Sequence, residues 1–137
     1  VALKHPDALV IGSDQVVAID DQILGKPGNR AAATAQLRAS SGREVLFYTG
    51  LAVVCRRDAL ERVEVEPFSV HFRTLSDAAI EAYLRREQPY DCAGSFKWEG
   101  LGIVLFERLR GDDPTSLEGL PLIRLSTLLS DAGCALL

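Results

Sequence analysis

Methionine is absent from this sequence, so no native start residue stands at its head. The opening stretch, VALKHPDALVIG, leads almost at once into an apolar run, and a preceding segment is expected. Cysteine is sparse. Cys55, Cys92 and Cys134 are an odd number without paired spacing, which fits free thiols in a reducing cytosol better than a disulfide frame. No CxxC or HxxxH pattern occurs, and the two histidines, His5 and His71, lie far apart, so a structural zinc site is not expected. No apolar run approaches the roughly 18 residues of a membrane span, and no signal-peptide pattern appears. Positive charge is also scarce: 15 Lys and Arg against 19 Asp and Glu give a net charge of −4. That argues against sequence-independent nucleic-acid binding, which needs broad basic surface. An anionic substrate would need local cations or a metal. Lysine is scarcer still, at positions 4, 26 and 97 only.

What is present describes one soluble α/β domain over residues 1–137, with 47% hydrophobic and 25% charged residues. ALVIG (8–12) reads as a strand buried on both faces. A β-branched run follows, then a tight turn at Asp20–Asp21 and a second short strand at Ile23–Leu24. Residues 28–42 read as a helix, with Asn29 as N-cap and Gly42 as left-handed cap. Residues 43–55 read as a strand pair or one long kinked strand, apolar enough for a central position. Residues 60–75 alternate with Val63, Val65, Phe68, Val70 and Phe72 inward and a phase break at Pro67, as in an antiparallel strand with one wet face. Residues 76–87 form a helix capped by Ser76, residues 101–111 a strand, and residues 120–133 a helix with Leu122, Leu125, Leu128 and Leu129 as its stripe. The order carries both parallel and antiparallel signals, so a mixed sheet is expected.

Three places can carry chemistry. Asp14 sits just past the first apolar run, where ligands gather at strand ends and where a carboxylate holds a hard cation or takes a proton from water. A turn acid has the same appearance. Lys26 stands in GKPG, a compact ammonium on backbone a ligand can approach closely, although the P-loop pattern is absent. The third is DCAGSFKWEG (91–100), with Asp91, Lys97 and Glu99 between turn glycines. Neither histidine has a local reason to activate Cys92, and a lone Trp98 is more often core than a stacking platform. The Asp112–Asp113 pair before Pro114 reads as a strand terminator. Together these describe a pocket with carboxylates, two lysines and glycine-rich walls, as metal-assisted chemistry on a polyphosphate requires.

IGSDQVV, ILGKPGN, GLAVV, DCAGSFKWEGLG, GDDPTSLEGLPL and the last helix, in this order and spacing from Ala8 to Gly133, resemble the Maf family of nucleoside triphosphate pyrophosphatases. The resemblance implies an elongated mixed sheet flanked by helices, similar to the inosine triphosphatase fold. It implies cleavage of a nucleoside triphosphate between the α and β phosphates, a divalent metal (Mg²⁺ or Mn²⁺), a cytoplasmic location and a homodimer. It places the catalytic acid at Asp14, which accepts a proton or holds metal with Asp91 as a weaker metal candidate, and puts Lys26 and Lys97 on the phosphates. Gln15 after Asp14, and Cys92, Lys97 and Glu99 in the loop, look like the 7-methyl-GTP branch, with Gln15 and Glu99 selecting the base. A carboxylate suits the N–H donors of the positively charged N7-methylguanine. The alternatives are a dTTP/UTP pyrophosphatase of the same fold and a non-catalytic nucleotide-binding module. The family's N-terminal strand and S-x-S-x-R-R phosphate motif do not occur in this sequence.

Overall fold

The ten residues VIGSDQVVAI have no helix-favouring periodicity and pass through Gly12 and Ser13 without breaking. In the computed structural model, which describes Val1–Leu137, they form a single strand, β1 (Val10–Ile19). Asp14 therefore lies inside a strand and not just past one. Ile11 and Gly12 are exposed, so the first run is not buried on both faces as expected. Asp20, in the left-handed region at φ +50°, turns the chain into β2 (Gln22–Ile23), which pairs antiparallel with β1. Helix α1 (Arg30–Ser40) starts at Asn29, whose side chain accepts from Ala32 N–H. It is followed by β3 (Glu44–Cys55), β4 (Leu60–Phe72), α2 (Asp77–Glu87) with Ser76 as N-cap, β5 (Phe106–Arg110) and α3 (Leu122–Asp131).

The α/β class is as expected, with five strands in the order β2-β1-β3-β4-β5 and β3 central. The strand directions are not mixed. β4 and β5 pair antiparallel, and the four-residue link between β3 and β4 permits only an antiparallel pair. Along β1 and β3 the numbers run oppositely: Ser13 Oγ meets Gly50 O, and Gln15 Nε2 meets Thr49 Oγ1. Residues 101–105, expected to be strand, form 3₁₀ turns before β5.

The residues gather into two compact units. The first comprises Val1–Gln15, Tyr48–Pro67 and Asp112–Leu137. Its core joins Leu51 and Val53 of β3 to Leu125 and Leu128 of α3, whereas Leu122 is exposed. Val63 and Val65, expected inward, are 66% and 57% exposed, and Glu66 is the buried position of β4 ahead of Pro67; beyond it Phe68, Val70 and Phe72 are buried as expected. The Arg124 guanidinium decides that register, since it pairs with both Glu64 and Glu66. Without that partner a buried carboxylate would be costly. Asp113 is buried as well. Its carboxylate accepts from Thr115 N–H and Oγ–H and from the N–H groups of Ile123 and Arg124 in the first turn of α3. Of the acid pair at 112–113, Asp113 thus ends up structural, while Asp112 is exposed.

The second unit comprises Val16–Phe47 and Phe68–Gly111. Its centre is a set of four rings: Phe47, Phe72, Phe96 and Phe106, packed edge to face with centroids 5.0 to 5.5 Å apart. Each such pair contributes about 0.5–1.5 kcal/mol beyond its burial. Phe96 belongs to the segment 91–100, so that segment is anchored in the core.

Candidate active site

In the first unit, alternation along β1 puts Asp14 and Gln15 on opposite faces. Asp14 is exposed and borders an open hollow of about 300 Å³ with Gly12, Gly50 and Val63. Its Oδ1 accepts only from the neighbouring Gln15 N–H, at 2.8 Å. Most of its hydrogen-bonding capacity therefore faces outward, as a proton acceptor or cation ligand requires. The flanking residues fix the strand. Ser13 Oγ lies 2.9 Å from Gly50 O and 2.6 Å from Gly119 O. Gln15 was expected at the base, but its amide protons go inward, to Thr49 Oγ1 at 3.0 Å and Ser116 O at 2.5 Å. Thr49 Oγ–H also donates to Ser116 O. Both protons of the amide are spent on holding β1, β3 and the turn 114–118 together, and only its oxygen is left for a ligand.

In the second unit, Lys26 is exposed between a pinned glycine on each side. Gly25 O accepts from Gln36 Nε2 of α1 at 3.0 Å, and Gly28 N–H donates to Tyr90 O at 2.8 Å. Pro27 is buried and holds the turn down. Gln36 has a second bond, its Oε1 accepting from Ser95 Oγ–H in the segment 91–100. One side chain thus ties the GKPG turn to the DCAGSFKWEG segment, and the Gly28–Tyr90 bond ties them again. The structure brings the neighbourhoods of Lys26, Asp91, Lys97 and Glu99 together in one unit.

The segment itself is held at both ends. Gly94 is buried at φ +74°, a conformation that excludes most side chains, and a Cβ there would press on Phe96. Lys97 and Glu99 are exposed on either side of a half-buried Trp98. Lys97 N–H donates to the Tyr83 hydroxyl at 3.0 Å, and Leu101 N–H to the Glu87 carboxylate at 2.8 Å. Lys97 O accepts from Gly100 N–H and Gly102 N–H. A Cβ on Gly102 would stand 2.3 Å from that oxygen. Helix α2 therefore staples the stretch that carries the two charges. Burial pushes the Tyr83 phenol far above its ordinary value, so it is neutral. Burial, then Asp91, pushes the Cys92 thiol up, so it is a poor nucleophile. Gln36, Tyr83 and Glu87 were not among the expected residues. Tyr83 at Ala79–Ile80–Tyr83–Leu84 spacing has the pattern of an apolar helix stripe, and a glutamine mid-helix gives no sequence signal.

Neither unit assembles three His, Cys, Asp or Glu side chains into a metal cage. The donor set instead offers an outward hard oxygen at Asp14. A single outward carboxylate is the kind of hard oxygen donor that a divalent cation accepts.

The profile of the family described as Maf-like protein matches residues 1–132. A protein of Nitrosococcus oceani named 7-methyl-GTP pyrophosphatase is 57% identical over 133 residues, covering 97% of this chain and 67% of its own length. Proteins of the same name from Albidiferax ferrireducens and Pseudoalteromonas translucida are 52% and 57% identical. They align over 100% and 96% of this chain and 69% and 66% of their own lengths. The chain thus spans about two thirds of the length of these relatives, and it belongs to the Maf-like protein family.

Proposed function

We propose that the protein hydrolyses the α–β phosphate bond of a nucleoside triphosphate, 7-methyl-GTP above others, releasing the monophosphate and pyrophosphate. The observation that carries this reading is the double tie between the GKPG turn and the segment 91–100, which holds two exposed lysines and one exposed carboxylate in a single unit. The relatives named 7-methyl-GTP pyrophosphatase support the same substrate.

In this reading Lys26 and Lys97 bind the phosphates and neutralise charge on the leaving pyrophosphate. Glu99 accepts from the Watson–Crick N–H groups of the methylated guanine and favours its positive charge. Asp14 accepts the proton of the attacking water or holds a divalent cation; Asp91 is a weaker candidate for the second task. With Mg²⁺ or Mn²⁺ present, the chemistry supplied is charge neutralisation on the phosphates and a more acidic water. Gln15 holds β1 in register through its amide protons and offers its amide oxygen to the base. The three free cysteines support a cytoplasmic setting, and a homodimer belongs to the proposal. The test is pyrophosphate release with Mg²⁺ by the wild type and by Asp14→Asn. The expected loss is about 10²–10⁴-fold, the usual contribution of a positioned base. Unchanged turnover would remove Asp14 from the mechanism.

A further inference from the structure

We infer that a second cavity, lined by α2, residues 73–75 and the turns at 101–105, binds a small organic anion with an apolar body. The cavity measures about 280 Å³ and lies wholly within the second unit. That lies just below the ~300–1,000 Å³ of drug-sized sites and so suits a small ligand. Its apolar wall comes from Ala82, Val104 and Leu105, and its polar lining from Arg73, Thr74 and Arg86. Ala79, Ala82 and Arg86 recur at helical spacing on one face of α2, and the two alanines leave the space that longer side chains would fill.

The charge of the lining selects the ligand. Two guanidinium groups and one hydroxyl line it, and no carboxylate does. The acids of α2 are engaged elsewhere: Asp77 with Arg38, Glu81 with Arg30, and Glu87 with Leu101 N–H. The ion pairs of this unit use Arg30, Arg38, Arg43 and His71, and leave Arg73 and Arg86 without a carboxylate partner. Guanidinium pairs recognise carboxylate or phosphate in a fixed fork geometry. An anionic head between Arg73 and Arg86, with a branched or aromatic body on Ala82, Val104 and Leu105, satisfies both halves of the lining. Tyr83 and Leu101 border the cavity and also belong to the staple that holds Lys97 and Glu99, so a ligand here touches the back of the substrate-facing segment.

The test uses 4-phenylbutyrate and its neutral analogue 4-phenylbutan-1-ol, titrated by calorimetry. The carboxylate is expected to bind about tenfold or more tightly than the alcohol, one charge-assisted contact's worth. Arg73→Gln/Arg86→Gln, and Ala82→Leu which fills the space, are each expected to weaken it by about tenfold or more. Lys26→Gln/Lys97→Gln is expected to leave it unchanged, which separates this cavity from the phosphate-facing lysines. Arg86 is exposed on the helix surface, so Arg86→Gln alone carries the test if the double variant fails to fold. Equal binding of the alcohol, unchanged binding in the arginine variants, loss in the lysine variants, or no binding up to the solubility limit of the probe would overturn the inference.

Discussion

The strand that carries Asp14 and the segment that carries Lys97 and Glu99 are built on opposite plans. Asp14 stands on regular β-structure. Its own side chain has one local bond, and its position is set by the flanking Ser13 and Gln15. The segment 91–100 has no regular structure to rely on. Gln36 holds its Ser95 hydroxyl, Tyr83 its backbone at Lys97 and Glu87 the backbone just after it at Leu101, one aromatic ring anchors it, and glycines pass where no Cβ fits. Regular structure tolerates change near a site because its backbone bonds persist. A stapled segment fails one staple at a time. Substitutions around Asp14 should therefore act on chemistry, and substitutions around Lys97 on both stability and substrate binding.

The largest break in this contrast should come from Gly102→Ala. The added methyl meets the Lys97 carbonyl, a backbone atom that cannot move aside cheaply. A loss of about 3 kcal/mol is expected by urea unfolding, with substrate binding impaired in whatever remains folded. Gly12→Ala is the contrasting control: nothing lies near its Cβ, and a change within about 0.5 kcal/mol is expected. Next is Asp113→Ala, which strands the donors of Thr115 and of the first turn of α3 at a cost of about 2 kcal/mol. Burial alone would raise the Asp113 carboxyl, but bonds from Thr115, Arg124 and Ile123 outweigh it and hold it below the ordinary 3.8. The folded-state value is depressed, so the stability it adds is present above pH 3.8 and is lost as pH falls through the lower folded value. Acid unfolding of the alanine variant should lack that component.

Smaller still is Tyr83→Phe. It removes the acceptor of Lys97 N–H and should cost about 1 kcal/mol while raising KM more than it lowers kcat. Gln36→Ala should cost about the same in stability but affect both lysines at once, because it frees the GKPG turn and Ser95 together. If Gln36→Ala and Tyr83→Phe add without coupling, the idea of one stapled unit weakens.

Much of this plan was legible in the sequence. The caps Asn29 and Ser76, the central β3 and the helix ends declare themselves through local rules, because a cap or an apolar run acts on its immediate neighbours. Lys26 and Lys97 were visible as rare lysines among turn glycines, and Asp14 as an acid beside an apolar run. The hidden parts depend on partners distant in the chain. Glu66 is inward because Arg124 meets it 58 residues away. The bracing role of Gln15, which leaves only its amide oxygen for a ligand, depends on Ser116, 101 residues away. The continuity of β1 through Gly12 and Ser13, and the turns at 101–105, were likewise set by packing that no local pattern reports.

The central claim is that Glu99, held out by the staples of α2, selects a methylated, positively charged base. Pyrophosphate release from 7-methyl-GTP, dTTP and UTP, compared between the wild type and Glu99→Gln under Mg²⁺, tests it most directly. The account predicts that the wild type prefers 7-methyl-GTP and that Glu99→Gln lowers kcat/KM for it by about tenfold or more, about 1.4 kcal/mol or more, with little change for UTP. A wild-type preference for dTTP, or a Glu99→Gln variant with the same preference as the wild type, would contradict it.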